Sequence, residues 1–264
     1  MSSFENYNMK KIIHSIFYPL LDLVTLHKGV PRNINGFIVR FPARWSRYYL
    51  GNYEKETFEF FNKNIKKGNT VLDIGAHIGL YSSPFAEMVG EDGKVFCFEP
   101  TPSTFDILKK TIELNKHQNI KSINAAIDEN SGSIRFNLTS QNGEGSNANS
   151  IVAIDRSVAN VDVKAYSIDD FRKENKLKID VLKIDVEGAE LSALRGAKET
   201  FISDRPLGIL ALHPNNINEF GHSLNEIWKC FEDYKLKILY QGKEISKENF
   251  CNKTLLFDVE FIPA

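Results

Sequence analysis

A short apolar segment that ends in two glycines constrains the fold of this chain more than any other feature. Residues 71–79 read VLDIGAHIG, so strand-forming residues lead through Gly75 and Gly79 into a helical pattern. In open α/β sheets, ligands bind beyond the carboxyl ends of the strands, and glycines there let the backbone approach the ligand closely. The segment therefore predicts an α/β fold with a nucleotide-type loop at this point.

Short β-rich segments alternate with helical patterns from residue 54 onward, which predicts a parallel sheet covered by helices. The five predicted strands of this pattern are Thr70–Ile74, Lys94–Phe98, Lys121–Ile127, Ile179–Ile184 and Leu207–Leu212. The pair Thr101 and Pro102 predicts the start of a helix that continues to about Asn115. A capping box from Ser223 to Glu226 predicts the start of another helix.

Other segments modify this alternating pattern. The last two predicted strands, Lys235–Tyr240 and Thr254–Phe261, have no long helix between them, so we expect them to pair antiparallel and make the sheet mixed. Ser133–Asn137 and Val161–Ser167 are predicted as extra strands. Between these two, the Asn/Gly/Ser-rich residues 141–150 form either a solvated loop or a lid over a site.

Overall charge and cysteine content exclude several classes of protein. The 264 residues include 33 basic and 34 acidic ones, so the chain is not a uniformly basic nucleic-acid-binding protein, and we predict no nucleic-acid partner. The three cysteines are widely spaced without a CxxC pair, which argues against a disulfide framework or a cysteine zinc site. A reducing compartment fits this composition best, so we expect a cytoplasmic protein.

The first 50 residues differ in charge from the rest of the chain. They contain seven basic and two acidic residues, a net charge of +5, which leaves −6 on the remainder. The apolar stretch Ile12–Leu26 follows Lys10 and Lys11 but is interrupted by Pro19 and Asp22, so we interpret it as neither a signal peptide nor a membrane span. It is either a core-packing helix with a solvated basic end or a weak peripheral contact with an anionic membrane or lipid-linked glycan.

The glycine loop favours an adenosine ligand without phosphates. A dinucleotide fingerprint, G-x-G-x-x-G, needs a middle glycine to admit the pyrophosphate, and His77 occupies that position. This disfavours an NAD-dependent oxidoreductase. Glu99 ends the second strand, 26 positions after Asp73, where a carboxylate can accept both ribose hydroxyls. Either acid by itself would also fit a helix-capping residue.

A charged block ends the fourth predicted strand. Residues 181–190 read VLKIDVEGAE, and the period of two places Lys183 and Asp185 on one face. A lysine in a buried strand needs a partner, so a structural Lys–carboxylate pair is the alternative to a catalytic role. His213 follows the next strand and is expected to face the same cleft. An imidazole pKa of about 6.5 suits a general base, although a merely hydrogen-bonded surface histidine fits the pattern too.

These segments together resemble the FkbM family of S-adenosylmethionine-dependent methyltransferases. The resemblance covers about residues 50–262 and rests on DIGAHIG, FEP, NAA from Asn124, SIDD up to Asp170 and LKIDVEGAE. It implies a Rossmann-like seven-stranded α/β sheet of order 3-2-1-4-5-7-6 with the last strand antiparallel. We accordingly divide the chain into an N-terminal accessory segment, residues 1–52, and a methyltransferase domain, residues 53–264. The family usually methylates a hydroxyl of a sugar or natural product.

Site residues follow from the motifs and this resemblance. The cofactor S-adenosyl-L-methionine is assigned to Asp73, Gly75, Ala76, His77, Gly79, Glu99 and Asn124. Acceptor binding and proton removal are assigned to Asp185, Glu187 and His213, with Lys183 in support. We predict no metal site, with Mg²⁺ held by the acids as the alternative. The acceptor is expected to be a small molecule or glycan, whose identity the sequence does not encode, and the oligomeric state is not predicted.

Two positions depart from the family pattern. His77 stands where the family commonly has Asn, which bears on contacts to the methionine end of the cofactor. Ala211 stands where the family often has Glu, two residues before the His-Pro pair. The second departure motivates an alternative function, a protein that binds the cofactor but has a decayed acceptor site and transfers no methyl group.

Overall fold

The computed structural model of the protein describes residues 17–49, 51–138 and 159–264. Its strands are β1 (Val30–Ile34), β2 (Phe37–Phe41), β3 (Thr70–Ile74), β4 (Lys94–Phe98), β5 (Ile120–Ile123), β6 (Ala126–Ile127), β7 (Gly132–Leu138), β8 (Ala159–Tyr166), β9 (Val181–Ile184), β10 (Leu207–Leu212), β11 (Leu236–Tyr240), β12 (Lys243–Glu244) and β13 (Phe257–Pro263). Its helices are α1 (residues 17–24), α2 (Lys55–Asn64), α3 (Ser82–Val89), α4 (Pro102–Asn115), α5 (Ile168–Asn175), α6 (Glu190–Arg195), α7 (Lys198–Ser203), α8 (Pro214–Glu219), α9 (Leu224–Asp233) and α10 (Lys247–Cys251).

The central sheet confirms the predicted fold class. Its strand order is β12-β11-β13-β10-β9-β3-β4-β5. With β12 set aside as a two-residue edge strand, this is the order 3-2-1-4-5-7-6. Neighbouring strands in the stretch β10-β9-β3-β4-β5 of this sheet pair parallel, whereas β13 pairs antiparallel with both β10 and β11. The sheet is therefore mixed, and the final pair of strands is antiparallel as predicted.

Burial on both faces explains why the central strands are so apolar. In β3, Leu72 and Ile74 pack into one hydrophobic cluster while Val71 packs into another, as the period of two requires. Helix α4 spans the predicted range, and Ser223 and Glu226 form the predicted capping box at the start of α9. The core thus fixes β3 at the centre and holds its carboxyl end beside those of β4 and β9.

The prediction of one strand over Lys121–Ile127 is wrong. Strand β5 ends at Ile123, and Ala126 and Ile127 pair instead with β8 in a separate three-stranded sheet. The chain turns at Asn124, whose side-chain amide donates hydrogen bonds to the carbonyl oxygens of Glu99 and Pro100. These bonds direct the chain away from β4 and end β5. The extra strands β7 and β8 are present, and residues 141–150 lie outside the described residues.

The segment before the sheet is attached closely to it. The hairpin β1–β2 places Val39 and Phe41 in the same hydrophobic cluster as α2 and α3 residues. The backbone of Arg40 exchanges two hydrogen bonds with the side chain of Asn115 at the end of α4. The domain boundary after residue 52 stays a prediction. Among the described residues, we find no helix with the length and apolarity needed to cross a bilayer.

Candidate active site

Gly75 lies where the glycine loop passes closest to the neighbouring strand. Its φ of 75° is in the left-handed region, and a Cβ atom built there would lie 1.8 Å from the carbonyl oxygen of Asp185. No larger residue fits without moving the backbone. The amides of Gly75 and Ala76 both donate to the carbonyl oxygen of Phe98, so the loop is held by the protein's own backbone. Gly75 therefore lets the loop lie close to Asp185, and its amide bonds to the protein's own backbone.

Gly79 ends the loop and has a different requirement. Its φ is 91°, and a Cβ there would lie 3.0 Å from the Leu108 side chain on α4. This glycine therefore allows the start of α3 to pack against α4.

Glu99 lies at the end of β4 and faces the loop. One of its carboxylate oxygens accepts a hydrogen bond from the His77 amide at 3.1 Å and the other accepts one from the Thr101 amide at 2.9 Å. Burial raises the pKa of Glu99 to about 7, although these hydrogen bonds oppose the shift. The Thr101 side chain also hydrogen-bonds this carboxylate, and a carboxylate has about four acceptor positions, so Glu99 can still receive a further donor.

A cleft opens beyond the carboxyl ends of β3, β4 and β9, with about 850 Å³ of empty space when its open, solvent-filled part is included. On the β4 side it is lined by Glu99 and by apolar residues, among them Phe98, Ile127 and Phe136. On the β9 side it is lined by Lys183, Asp185 and Glu187. Because β3 lies between β4 and β9, the cleft has two chemically different sides that meet at the glycine loop.

Of the residues predicted to bind the cofactor, Asp73, Gly79 and Asn124 lie outside the lining of this cleft. Asp73 is fully buried in β3, where one carboxylate oxygen accepts a hydrogen bond from Ser82 at 2.8 Å. Burial raises the pKa of Asp73, although the Lys183 ammonium opposes that shift. Asn124 holds the backbone after β4, as described above. Asp73 and Asn124 therefore stabilise the loop and the strand ends from positions outside the cleft.

Lys183 connects the two sides of the cleft. Its ammonium donates to the carbonyl oxygen of Gly75 and to the carboxylate of Asp185, both at 3.2 Å, and lies 4.0 Å from Asp73. Burial acts to lower the pKa of Lys183, but the charges of Asp185 and Asp73 outweigh it and raise that pKa. Lys183 is therefore charged, and it fixes the glycine loop to the end of β9.

His213 lies at the end of β10 among three carboxylates. Its Nδ1 is 2.7 Å from Glu190, which is fully buried, and its Nε2 is 3.4 Å from Glu187 and 3.8 Å from Asp185. Burial acts to lower the pKa of His213, but these carboxylates raise it to about 9. At neutral pH the imidazole is therefore charged and has no lone pair with which to accept a proton, unlike the free imidazole assumed from sequence.

Glu187 and Asp185 respond differently to their surroundings. Burial raises the pKa of Glu187 to about 7, with His213 opposing and Asp185 adding to the shift. Burial also acts on Asp185, but Lys183 and His213 outweigh it and lower its pKa. The cleft thus holds one permanently ionised carboxylate beside one that titrates near neutral pH, which is the pattern of an acid–base site.

Asp185, Glu187 and His213 also place one candidate ligand atom each within 4.8 Å of one another. Oxygen and imidazole ligands of this kind could hold a divalent cation. Binding would require His213 to lose the proton that its three carboxylate neighbours retain at neutral pH. The proton on His213 already balances part of the negative charge of these carboxylates. The absence of a metal site stays a prediction.

Several residues of the cleft carry no sequence signal. Tyr49, Tyr53 and Glu54 precede α2 and line the cleft beside the glycine loop. The Tyr49 hydroxyl lies 2.7 Å from Nδ1 of His77, and the Tyr81 hydroxyl donates to the Glu54 carboxylate. Tyr49, Tyr53 and Glu54 come from the segment before α2, in which we found no motif. Glu190, by contrast, belongs to the charged block and could have been chosen from its position in it.

Ala211 lies opposite an acidic residue of the neighbouring strand. In the β10–β13 register its Cα partner is Asp258, whose carboxylate accepts a hydrogen bond from Thr57 at 3.3 Å. Burial raises the pKa of Asp258 to about 6, with the charges of Glu54 and Asp185 adding to the shift. A carboxylate is therefore present beside the position where the sequence lacks one.

Comparison with known proteins identifies the family. A family model for the methyltransferase FkbM domain matches residues 73–238, more than half of the chain. The chain belongs to the FkbM methyltransferase family. This confirms the resemblance drawn from the motifs, and S-adenosyl-L-methionine is the cofactor that the family assignment gives this chain.

Curated relatives of this FkbM protein are distant. The methyltransferase sdnD of Sordaria araneosa is 26% identical over 164 residues, 52% of this chain and 63% of the relative. Methyltransferase 1 of Beauveria bassiana is 26% identical over 145 residues, 48% of this chain and 57% of the relative. The chain thus spans less than two thirds of either fungal protein. The hexuronic acid methyltransferase AglP of Haloferax volcanii is 24% identical over 188 residues, 67% of this chain and 74% of the relative.

Among solved structures, a SAM-dependent methyltransferase from Aquifex aeolicus superposes with a TM-score of 0.45 at 15% identity. The superposition covers 81% of this chain and 94% of that one.

The residues of the cleft fit S-adenosyl-L-methionine. The carboxylate of Glu99 can accept a hydrogen bond from a ribose hydroxyl, and the apolar side chains of Phe98, Ile127 and Phe136 match an adenine ring. The carboxylates of Asp185 and Glu54 match the positive charge of a sulfonium. The cofactor has no phosphate, which agrees with a loop whose amides of Gly75 and Ala76 are already bonded.

Proposed function

We propose that this FkbM protein is an S-adenosylmethionine-dependent O-methyltransferase that acts on a hydroxyl of a sugar, glycan or small natural product. One observation carries the proposal. The glycine loop lies between two groups of charged side chains. On one side of β3 is Glu99, the carboxylate proposed to bind the ribose, and on the other is the acid–base cluster of Asp185, Glu187 and His213. A hydroxyl that enters from the β9 side would therefore meet the methyl donor and a base in the same cleft.

Glu187 is the best candidate for the general base. A pKa of about 7 leaves a substantial fraction of its carboxylate ionised at neutral pH while keeping it basic enough to accept a hydroxyl proton. Asp185, whose pKa is lowered, remains an acceptor that can orient the hydroxyl by a hydrogen bond. His213 and Glu190 then act as positioning residues, since the charged imidazole holds Glu187 in place from the buried side.

The bound cofactor would supply a methyl group on a sulfonium, which leaves to the nucleophile by in-line displacement. Alignment of the two reacting groups can contribute about 7–11 kcal/mol, whereas a positioned base adds about 3–5 kcal/mol. Lys183 serves alignment because it ties the loop carbonyl of Gly75 to Asp185. We therefore expect loss of the loop geometry to be more damaging than loss of the base.

Two observations support a hydroxyl on a sugar as the acceptor. The Haloferax volcanii relative is a hexuronic acid methyltransferase. In this chain, tyrosines 49, 53 and 81 line the cleft, and aromatic faces with polar tips suit a polyhydroxylated ring. The relative's low identity makes the sugar acceptor a proposal for this chain.

The test has a binding step and a transfer step. Isothermal calorimetry of the full chain with S-adenosyl-L-methionine should give saturable binding that Glu99→Gln weakens. Radiolabelled methyl transfer into fractionated extract of the native cell should then label a glycan or small-molecule fraction. Absence of binding by folded protein at millimolar cofactor would refute the proposal, and label in protein or nucleic acid alone would refute the acceptor class.

The alternative, a cofactor-binding protein with a decayed acceptor site, rests on Ala211. Asp258 lies across from Ala211 on β13, and His213 lies 3.4 Å from Glu187, and both observations favour a functional acceptor site over this alternative. It predicts cofactor binding without methyl transfer to any fraction. The same transfer assay, run with EDTA, tests the metal prediction, because we expect activity to be unchanged by the chelator.

A further inference from the structure

Helix α1 exposes the more apolar of its two faces. Phe17, Leu20, Leu23 and Val24 are each more than half exposed, as is Leu26 just after the helix. These helical positions lie on one side, whereas Tyr18 and Asp22 on the opposite side, and Leu21 at the edge of the exposed side, are partly buried. A surface helix ordinarily turns its apolar stripe toward the core. We call Phe17, Leu20, Leu23, Val24 and Leu26 the apolar face of α1.

The segment that contains α1 is rich in basic residues. The Arg47 guanidinium lies 5.6 Å from the centre of the Tyr18 ring, which places a charge against the inner side of α1. Arg44 and Lys28 are exposed in the same segment. Residues 17–49 carry five basic residues and one acidic residue, Asp22, which is already paired with His27 at 2.6 Å. The apolar face is thus combined with a net positive charge, while residues 51–264 are net negative.

The same surface adjoins the cleft. Tyr48 follows Arg47, is exposed, and has its ring centre 6.1 Å from that of His77. Tyr49 then reaches His77 by its hydroxyl, and both Tyr49 and His77 line the cleft. A partner that covers Arg47 and Tyr48 would therefore lie near the edge of the cleft.

We propose that the apolar face of α1 docks on the surface of an anionic lipid bilayer, to which the positive charge of residues 17–49 attracts it. An exposed apolar helix face in a segment of net positive charge matches the acyl chains and the anionic headgroups of such a surface. A second copy of the chain fits less well, because a two-fold contact across this face would bring like-charged arginines together. The docking does not depend on the proposed methyl transfer, and it would hold the cleft close to the lipid–water interface.

Cosedimentation of the full chain with vesicles tests the docking. We expect binding to vesicles of phosphatidylcholine mixed with phosphatidylserine to be at least about tenfold stronger than to phosphatidylcholine alone, and to weaken as salt is raised. The double variants Leu20→Gln/Leu23→Gln and Arg44→Gln/Arg47→Gln should each reduce binding to the mixed vesicles by about tenfold or more. Circular dichroism should show unchanged helix content in both.

A matched control uses exposed apolar residues elsewhere on the molecule. Leu255 and Leu256 are 76% and 63% exposed, so Leu255→Gln/Leu256→Gln removes a similar apolar area and should leave vesicle binding unchanged. Equal binding to neutral and anionic vesicles, or none to either, would overturn the proposal. So would a dimer in light scattering that Leu20→Gln/Leu23→Gln converts to monomer, since the face would then be an interface between copies.

Discussion

The two sides of the cleft are built in different ways. The cofactor side consists of Gly75, Gly79 and Glu99, which lie within 25 residues and follow two consecutive strands. The acceptor side combines the end of β9 with the segment before α2, which are far apart in the chain, and His213 after β10 contacts it without lining the cleft. Backbone geometry dominates the first side, and coupled charges dominate the second. The comparison teaches that the cofactor side should tolerate almost no change of shape, whereas the acceptor side should respond chiefly to changes of charge.

The largest effect is expected from Gly75→Ala. The new Cβ would clash with the carbonyl oxygen of Asp185, in a backbone conformation that disfavours a side chain. Displacing the loop by about 1 Å should lower activity by about 100-fold or more, and calorimetry should show a parallel loss of cofactor affinity. Gly132→Ala is the control, since a Cβ there meets nothing within 4 Å. Native cofactor affinity in folded Gly75→Ala would show that the loop is not shape-limited.

Glu187→Gln should have the next largest effect. It removes the proposed base but keeps its size, so kcat should fall by about 10²- to 10⁴-fold while the cofactor dissociation constant stays the same. Single-turnover kinetics beside calorimetry separates the two quantities, and the exposed Glu91→Gln is the control.

The pH profile of the native enzyme tests the same assignment. The rate should rise through about pH 7 as Glu187 ionises and fall through about pH 9 as His213 loses its proton. A kcat unchanged by Glu187→Gln would move the base to another residue.

Stability should decline from about pH 5 to pH 9. Burial raises the pKa of Glu99 and Glu187 to about 7, and carboxylate neighbours raise that of His213 to about 9. A group with a raised pKa stabilises the folded state fully below its unfolded pKa, and this contribution is lost as the pH rises through the folded value. His117, whose pKa burial lowers, opposes the trend. The trend concerns mainly the acceptor side, where most of these groups lie.

Differential scanning fluorimetry across this range measures the decline. His213→Gln should remove the part above about pH 6.5, which is the unperturbed imidazole pKa. A melting temperature that rises between pH 7 and pH 9 in the native chain would contradict the charge network described for His213.

The smallest effect is expected from Tyr49→Phe. The change removes one hydrogen bond to His77, at the boundary between the two sides of the cleft, and leaves the aromatic ring in place. A loss of about 1 kcal/mol in binding free energy makes the cofactor dissociation constant roughly fivefold larger. Tyr240→Phe on β11 is the matched control. A loss as large as that of Gly75→Ala would mean that Tyr49 sets the loop geometry instead of only supporting it.

The sequence by itself determined the positions of the glycine loop and of Glu99, because each depends on residues close together in the chain, whereas the sheet order followed from the resemblance to the FkbM family. It could not determine the break after Ile123, because β5 ends where the side chain of Asn124 bonds to the carbonyl oxygens of Glu99 and Pro100, just after β4. Tertiary structure alone decided the charge states of His213 and Glu187, because a pKa depends on burial and on charges brought in from other strands. It also decided which residues outside the motifs line the cleft, such as Tyr49 and Glu54, which have no local pattern and reach it only when the sheet assembles.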